Sequence, residues 1–360
     1  MAYLRAQGGL QEAASGYLKQ MREALGAGGG AVAVAAQVED ETQHDVARRM
    51  VLPGGLGVGA KPVEVSADMG RVPALRDYLR WAQAAAPAAR YALLILAHGV
   101  PPAPEQQEPD NAAGRLEIGA LAEALAEGTA PRLEVVFLDC CYSGSVEVAD
   151  RLVGRARYLV AAPGLLYSPG LPWGAIVAQL AREPEMGGRD LALEASRLAR
   201  AYWSGRREMS ASLAAVDLDR LPALTEALRS MAQIALPRVE QLAPELTLAR
   251  GRASGWGPQR ELVEVASLAE ALAETTSVVE VAEQAKRVSV EAHNAIVEAW
   301  RQEPGDSAQT GAGLGIFYPL SIRSWAVGYG ADPGEGFTAD WALLLRAYLQ
   351  RMAWLAKGTK

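Results

Sequence analysis

The residues best suited to chemistry stand in two short clusters, each at the end of an apolar run. Residues 91–99 read YALLILAHG, and residues 133–144 read LEVVFLDCCYSG. The first run delivers His98 and Gly99; the second delivers Asp139, Cys140 and Cys141, then Ser143 and Gly144. A histidine beside a thiol is the raw material of nucleophilic catalysis. The imidazole takes the thiol proton, and the thiolate attacks an electrophilic carbon. Both runs (91–97 and 133–138) have the length and composition of buried strands. In open α/β sheets, ligands bind outside the carboxyl ends of such strands. Cys141 begins the turn out of its strand, ahead of a helix expected from residue 146. Backbone N–H groups at that helix start could hold a thiolate and later an oxyanion. Gly99, lacking a side chain, lets a substrate carbonyl approach a second backbone donor.

Each of these residues also has a plainer role. Buried free cysteines are common and inert, and a core histidine can simply bond a backbone carbonyl. Asp139 fits turn chemistry or capping. It equally fits the floor of a specificity pocket that pairs with an Arg or Lys of a substrate. His44 and His293 lie in charged or helical surroundings and read as surface residues, and no metal-ligand spacing links the three histidines. A serine hydrolase is disfavoured because no G-x-S-x-G elbow occurs.

The elements that must position the clusters follow from periodicity. Helices are expected over 10–25, 73–86 and 116–126, the last two each leading into one of the site strands. Strands are expected over 31–38, 48–51, 158–162 and 211–216, and helices over 146–153, 173–182, 191–204 and 221–236. Residues 237–259 are turn-rich and ambiguous. Beyond them come a weak strand at 261–265, a long helix over 277–300, a strand over 314–318 and a final helix over 338–355. Alternation of helix and apolar strand points to an α/β fold, a largely parallel sheet covered on both faces. The expected division is a core over 1–236 with a packed C-terminal extension over 237–360, or one continuous domain.

Composition narrows the classes. The chain has 360 residues, half of them hydrophobic and 21% charged, which supplies a sizeable core and excludes global disorder. A net charge of −7 argues against a nucleic-acid partner. The only two cysteines are adjacent, which suits neither a disulfide framework nor a four-thiolate zinc site and points to a reducing compartment. No signal peptide is visible, and the apolar runs fall well short of the about 20 residues of a membrane span. A cytoplasmic protein without a membrane span is expected.

At these residues the sequence resembles the clostripain family (C11) of cysteine peptidases, relatives of caspases, metacaspases and gingipains. The blocks ADMGRVPALRDYLRWAQAAAPAARYALLILAHG and LEIGALAEAL followed by LEVVFLDCCYSGSVEVADRL resemble the family's histidine and nucleophile regions. YLVAAPGLLYSPGLPWGAIVAQL, SASLAAVDLDRL and GLGIFYP are similar to its later landmarks. The resemblance implies a caspase-haemoglobinase αβα sandwich with C-terminal helical and strand additions. It makes Cys141 the nucleophile, two residues after Asp139, with Cys140 in the place of a small residue. It makes His98 the general base and acid, and Gly99 with the Cys141 backbone the oxyanion hole. Asp139 becomes the S1 carboxylate, so that the implied substrate is a protein or peptide with Arg, or else Lys, at the cleavage position. The chemistry requires no cofactor. Calcium enters only because some family members need it, and no EF-hand-like loop occurs in this sequence.

The chain departs from the family where His98-Gly99 is followed by Val100-Pro101-Pro102 instead of a longer glycine run. Many members are secreted, whereas no leader is expected here. Residues 100–115, VPPAPEQQEPDNAAGR, form a polar loop rich in Pro and Glu that ends in Arg115. Exposed loops of this kind are preferred nicking sites, so self-cleavage after Arg115 is one expectation and an ordinary solvated loop the other. The rival from a different class is a silent pseudo-peptidase that binds a peptide through an intact cleft.

Overall fold

The computed structural model describes residues 1–26, 30–40, 43, 46–52, 62–99, 118–128, 131–257, 260–305, 309–310, 313–325, 329–330 and 336–358. Its strands are β1 Ala2–Leu4, β2 Val34–Glu39, β3 Val46–Leu52, β4 Val63–Ser66, β5 Ala92–Leu96, β6 Leu133–Asp139, β7 Ala156–Ala161 and β8 Ala211–Asp217. They continue with β9 Gly255–Trp256, β10 Leu262–Glu264, β11 Ile296–Gln302, β12 Gln309–Thr310 and β13 Gly315–Phe317. The helices are α1 Gln11–Gly26, α2 Val72–Ala85, α3 Ile118–Gly128, α4 Val146–Leu152, α5 Trp173–Arg182 and α6 Gly188–Ser204. They are followed by α7 Leu221–Ala235, α8 Val239–Arg252, α9 Val265–Thr275, α10 Val279–Ala295 and α11 Phe337–Gly358.

Ten strands form one sheet in the order β12-β11-β8-β7-β6-β5-β1-β2-β3-β4. The stretch from β7 through β6, β5 and β1 to β2 is parallel, and the strands beyond it on either side are antiparallel. In the parallel part, β1 is followed by β2 on one side and by β5 on the other. The chain therefore reverses its winding between β1 and β5, and the crevice outside that switch point is where such sheets bind ligands.

Two apolar layers cover the sheet. Strand residues Leu93, Ile95, Val136 and Leu138 face helices α2, α3, α4 and α7, backed by α8 to α11. Leu94, Leu96, Val135 and Phe137 face α1, α5 and α6. Burial on both faces explains why β5 and β6 read as unbroken apolar runs. Helix α2 has proline in its first turn and buries Leu75, Tyr78, Leu79 and Ala82, a spacing that lays all four on one side.

The sequence expectation for 277–300 is corrected. Helix α10 stops at Ala295, and Ile296–Gln302 is strand β11, paired antiparallel with β8. Ile296 and Val297 favour extended backbone, and the open edge of β8 supplies hydrogen bonds that outweigh helical propensity. Residues 237–259, ambiguous by sequence because of their prolines, hold helix α8 with Pro244 inside it. The three-residue β1 has no periodic signature, yet it pairs on both sides. Strands β11 and β12 from the C-terminal third join the main sheet, while β13-β10-β9 form a separate antiparallel sheet. Among the described residues no helix is long and apolar enough to cross a membrane.

Candidate active site

Strand parity sorts the two cysteines. Val136, Leu138 and Cys140 point into one apolar layer, while Phe137 and Cys141 share the other. Successive side chains of a strand alternate sides. Cys140 is sealed, with its thiol near the Ile95 carbonyl (3.9 Å), and Cys141 is half-buried. In the parallel register Leu96 lies beside Asp139. Beyond that pair β5 leads into His98 and Gly99, and β6 leads into Cys140 and Cys141. Gly99 packs directly on the Cys141 backbone, for a Cβ there would lie 2.5 Å from the Cys141 carbonyl oxygen.

The turn that carries Cys141 is held on all sides. Tyr142 adopts φ 56°, a left-handed conformation rare outside glycine, and donates its N–H to the Gly164 carbonyl at 2.9 Å. Ser143 Oγ bonds the Cys140 carbonyl at 2.8 Å and accepts from the Ala162 N–H at 3.3 Å. Gly144 donates to the Ala162 carbonyl, and a Cβ on it would meet Pro163 N at 2.6 Å. Ser145 caps α4 by accepting from the Val148 N–H. The small sheet closes the arrangement, since the Gly315 N–H donates to the Gly144 carbonyl at 2.9 Å. The residues that the sequence shows only as SG after the cysteines are thus the clamps of the turn.

His98 Nε2 lies 2.9 Å from the carbonyl oxygen of Gly8. A carbonyl can only accept, so Nε2 carries the proton and Nδ1 is the nitrogen able to take one. Gly8 follows β1, and both it and Gly9 have positive φ (64° and 88°), which glycine adopts without steric cost. The same turn is braced by Gln7, whose Nε2 donates to Glu39 Oε1 at 2.6 Å. Sequence reasoning misses Gly8, whose only signal is a Gly-Gly pair near the N-terminus.

The expected thiolate donor is corrected. The N–H reaching Cys141 Sγ, at 3.3 Å, is that of Leu166, in the loop after β7, and not one at the start of α4. Sγ also lies 3.6 Å from the Leu166 carbonyl. Burial raises the Cys141 pKa above the usual thiol range, the Leu166 N–H opposes this, and the charge of Asp139 adds to it. Burial raises Cys140 still further. The resting thiol is therefore mostly protonated near neutrality. Alkylation of Cys141 by iodoacetamide, followed by peptide mapping, is expected to rise about tenfold per pH unit up to about pH 9. A plateau below about pH 8 would show a stabilised thiolate instead.

Asp139 is buried under α1 and α5 and accepts hydrogen bonds from Tyr17, Leu171 and Trp173. Burial raises its pKa, and these donors pull it back. Asp139 does not cap α4; Ser145 does. Arg115 and the loop of residues 100–115 lie outside the described residues, as does His44. His293 is remote on α10, donating from Nδ1 to the Ser289 carbonyl. Among the described residues no group of three or more His, Cys, Asp or Glu is arranged to hold a metal ion.

Fold and family together define the class as a caspase-like cysteine endopeptidase. The Clostripain family's sequence model matches residues 2–322, and the chain belongs to that family. No curated protein matches it. Among solved structures it is similar to an inactive zymogen C11 protease from Parabacteroides distasonis, with TM-score 0.65 at 14% identity over 88% of this chain and 91% of that one. It is similar as well to a secreted C11 cysteine protease from Bacteroides thetaiotaomicron bound to an irreversible peptide inhibitor, with TM-score 0.66 at 17% identity over 95% and 98% of the chains. A solved structure of a secreted C11 cysteine protease from that organism, iotapain, gives TM-score 0.69 at 12% identity over the same shares.

Proposed function

We propose that the chain hydrolyses peptide bonds after a basic residue, arginine or lysine, with Cys141 as nucleophile and His98 as its base and acid. The observation that supports this reading is the delivery of His98-Gly99 and Cys141 at neighbouring parallel strand ends, where Gly99 packs on the Cys141 backbone. His98 Nδ1 takes the thiol proton as Cys141 Sγ bonds the scissile carbonyl carbon. The oxyanion forms beside the backbone N–H groups of Gly99 and Cys141. The C–N bond then breaks as His98 returns its proton to the departing amine, leaving a thioester. Water attacks the thioester with His98 again as base, and the C–S bond breaks to release the acid.

Asp139 sits on the same strand end and supplies the negative charge for a basic P1 side chain. Asp139→Asn is expected to lower kcat/KM for an arginyl fluorogenic peptide by about 10²-fold, because a desolvated cation loses its counter-charge. Unchanged preference for arginine over norleucine in that variant would remove the role.

The thiol's raised pKa and its contact with Leu166 suit a resting state that needs opening. Self-cleavage after Arg115 is the opening step we favour. Intact mass analysis tests it: cutting that persists in Cys141→Ala, or full activity of an uncut chain, rules it out.

A further inference from the structure

Asp139 is held in a manner that a turn-forming aspartate does not require. Three donors converge on one of its oxygens, Oδ2: the Tyr17 hydroxyl at 2.6 Å, the Leu171 N–H at 3.2 Å and the Trp173 indole N–H at 2.9 Å. Tyr17 comes from α1, and the other two come from the loop and helix after β7. The Tyr17 hydroxyl is itself seated between Asp139 and the Pro169 carbonyl. Its ring and the Phe137 ring pack against Trp173, so the donors are fixed in place by burial.

The other oxygen, Oδ1, is treated differently. No donor among the described residues reaches it, yet it is not one of the sealed, partnerless oxygens of the interior, so it keeps contact with solvent. Gly170 stands over it with φ 70°. A Cβ at that position would lie 2.3 Å from Oδ1 and 2.2 Å from the Tyr17 oxygen. Only glycine fits there, because its backbone packs directly against Oδ1 and the Tyr17 oxygen and closes that side of the carboxylate.

We propose that Tyr17, Trp173 and Gly170 determine specificity: the first two reserve Oδ2 for the protein, and Gly170 closes one side of the carboxylate, so that a substrate cation meets Oδ1 alone. This rests on reading Asp139 as the floor of the S1 pocket. Two consequences follow from the chemistry. An Arg guanidinium grips a carboxylate best through two parallel N–H bonds, which need both oxygens, whereas an ammonium needs one. A one-oxygen site forgoes the bidentate advantage, so arginine and lysine serve nearly alike. The donors on Oδ2 also favour the ionised form of a carboxyl that burial pushes toward neutrality. The titratable groups facing Asp139 are Tyr17 from α1 and the Cys140 and Cys141 thiols of its own strand end. Burial raises the pKa of all three, so Asp139 is the one of these groups whose charge the loss of an Oδ2 donor alters.

Matched arginyl and lysyl fluorogenic peptides test the proposal. The wild-type chain is expected to show kcat/KM values within about tenfold of each other, and a larger preference for arginine overturns the single-oxygen geometry. Tyr17→Phe keeps the ring and removes one donor. It is expected to lower kcat/KM for both peptides by about tenfold or more, mainly through KM, and to move the acid limb to higher pH. Iodoacetamide alkylation of Cys141 should change by less than about twofold, since the nucleophile turn is untouched. Gly170→Ala is expected to impair both peptides as well; Tyr17→Phe carries the test should the alanine variant not fold. If Asp139→Asn abolishes the preference for basic residues while Tyr17→Phe leaves both KM and the acid limb unchanged, this inference fails and the S1 reading stands. If Asp139→Asn keeps that preference, the S1 reading itself fails.

Discussion

Cys141→Ala is expected to lower peptide hydrolysis by at least about 10³-fold, whereas Cys140→Ala retains it within about tenfold. The two thiols are neighbours in the chain and differ by one step of strand parity. Cys140 lies with Ile95 and Leu138 under α4, fully enclosed, where its sulfur acts as a small apolar group. Removing it leaves a void about the size of one sulfur atom, with a cost on the order of 1 kcal/mol in stability and no direct effect on chemistry. Cys141 packs in the opposite layer and is only half-buried, so on the proposed mechanism its thiol is the one that gives a proton to His98. Measurement of kcat/KM on one arginyl peptide for both variants decides the assignment. Equal losses in the two would show that strand parity does not identify the nucleophile.

Gly99→Ala is expected to reduce kcat by about 10²-fold in a chain that still folds. The new Cβ would sit 2.5 Å from the Cys141 carbonyl oxygen and 3.2 Å from its carbonyl carbon and Cβ. Neighbouring real atoms do not approach so closely, so one partner must move. Strands β5 and β6 are interior to the sheet and locked in register, so the strain falls on the two strand-end turns. Displacement there of about 1 Å misaligns sulfur, imidazole and the backbone donors together. Overpacking of this kind costs typically about 1–3 kcal/mol in stability. A thermal melt therefore accompanies the kinetics, and a folded variant with wild-type kcat would show that this contact does not set the geometry of the turn.

Much of the fold is legible in local patterns. The apolar runs of β5 and β6, the facial spacing of α2 and the strand-end positions of His98 and Cys141 all depend on residues near one another in the chain. The exceptions are equally physical. Ile296 to Trp300 continue a helical pattern, and only the unpaired edge of β8 draws those residues into a strand. Strand β1 is too short to show a period, and its strand character comes from partners on both sides.

By itself, then, the sequence determined which residue types stand at which strand ends and on which alternating face, because periodicity records burial locally. Only the tertiary structure decided what meets them. Gly8 reaches His98 across 90 residues, Leu166 reaches Cys141 across 25, and Tyr17 reaches Asp139 across 122. These contacts arise from the winding reversal between β1 and β5 and from α1 and α5 packing over the same sheet face. No spacing within a single segment encodes them, since hydrogen bonds between distant turns are set by how layers pack.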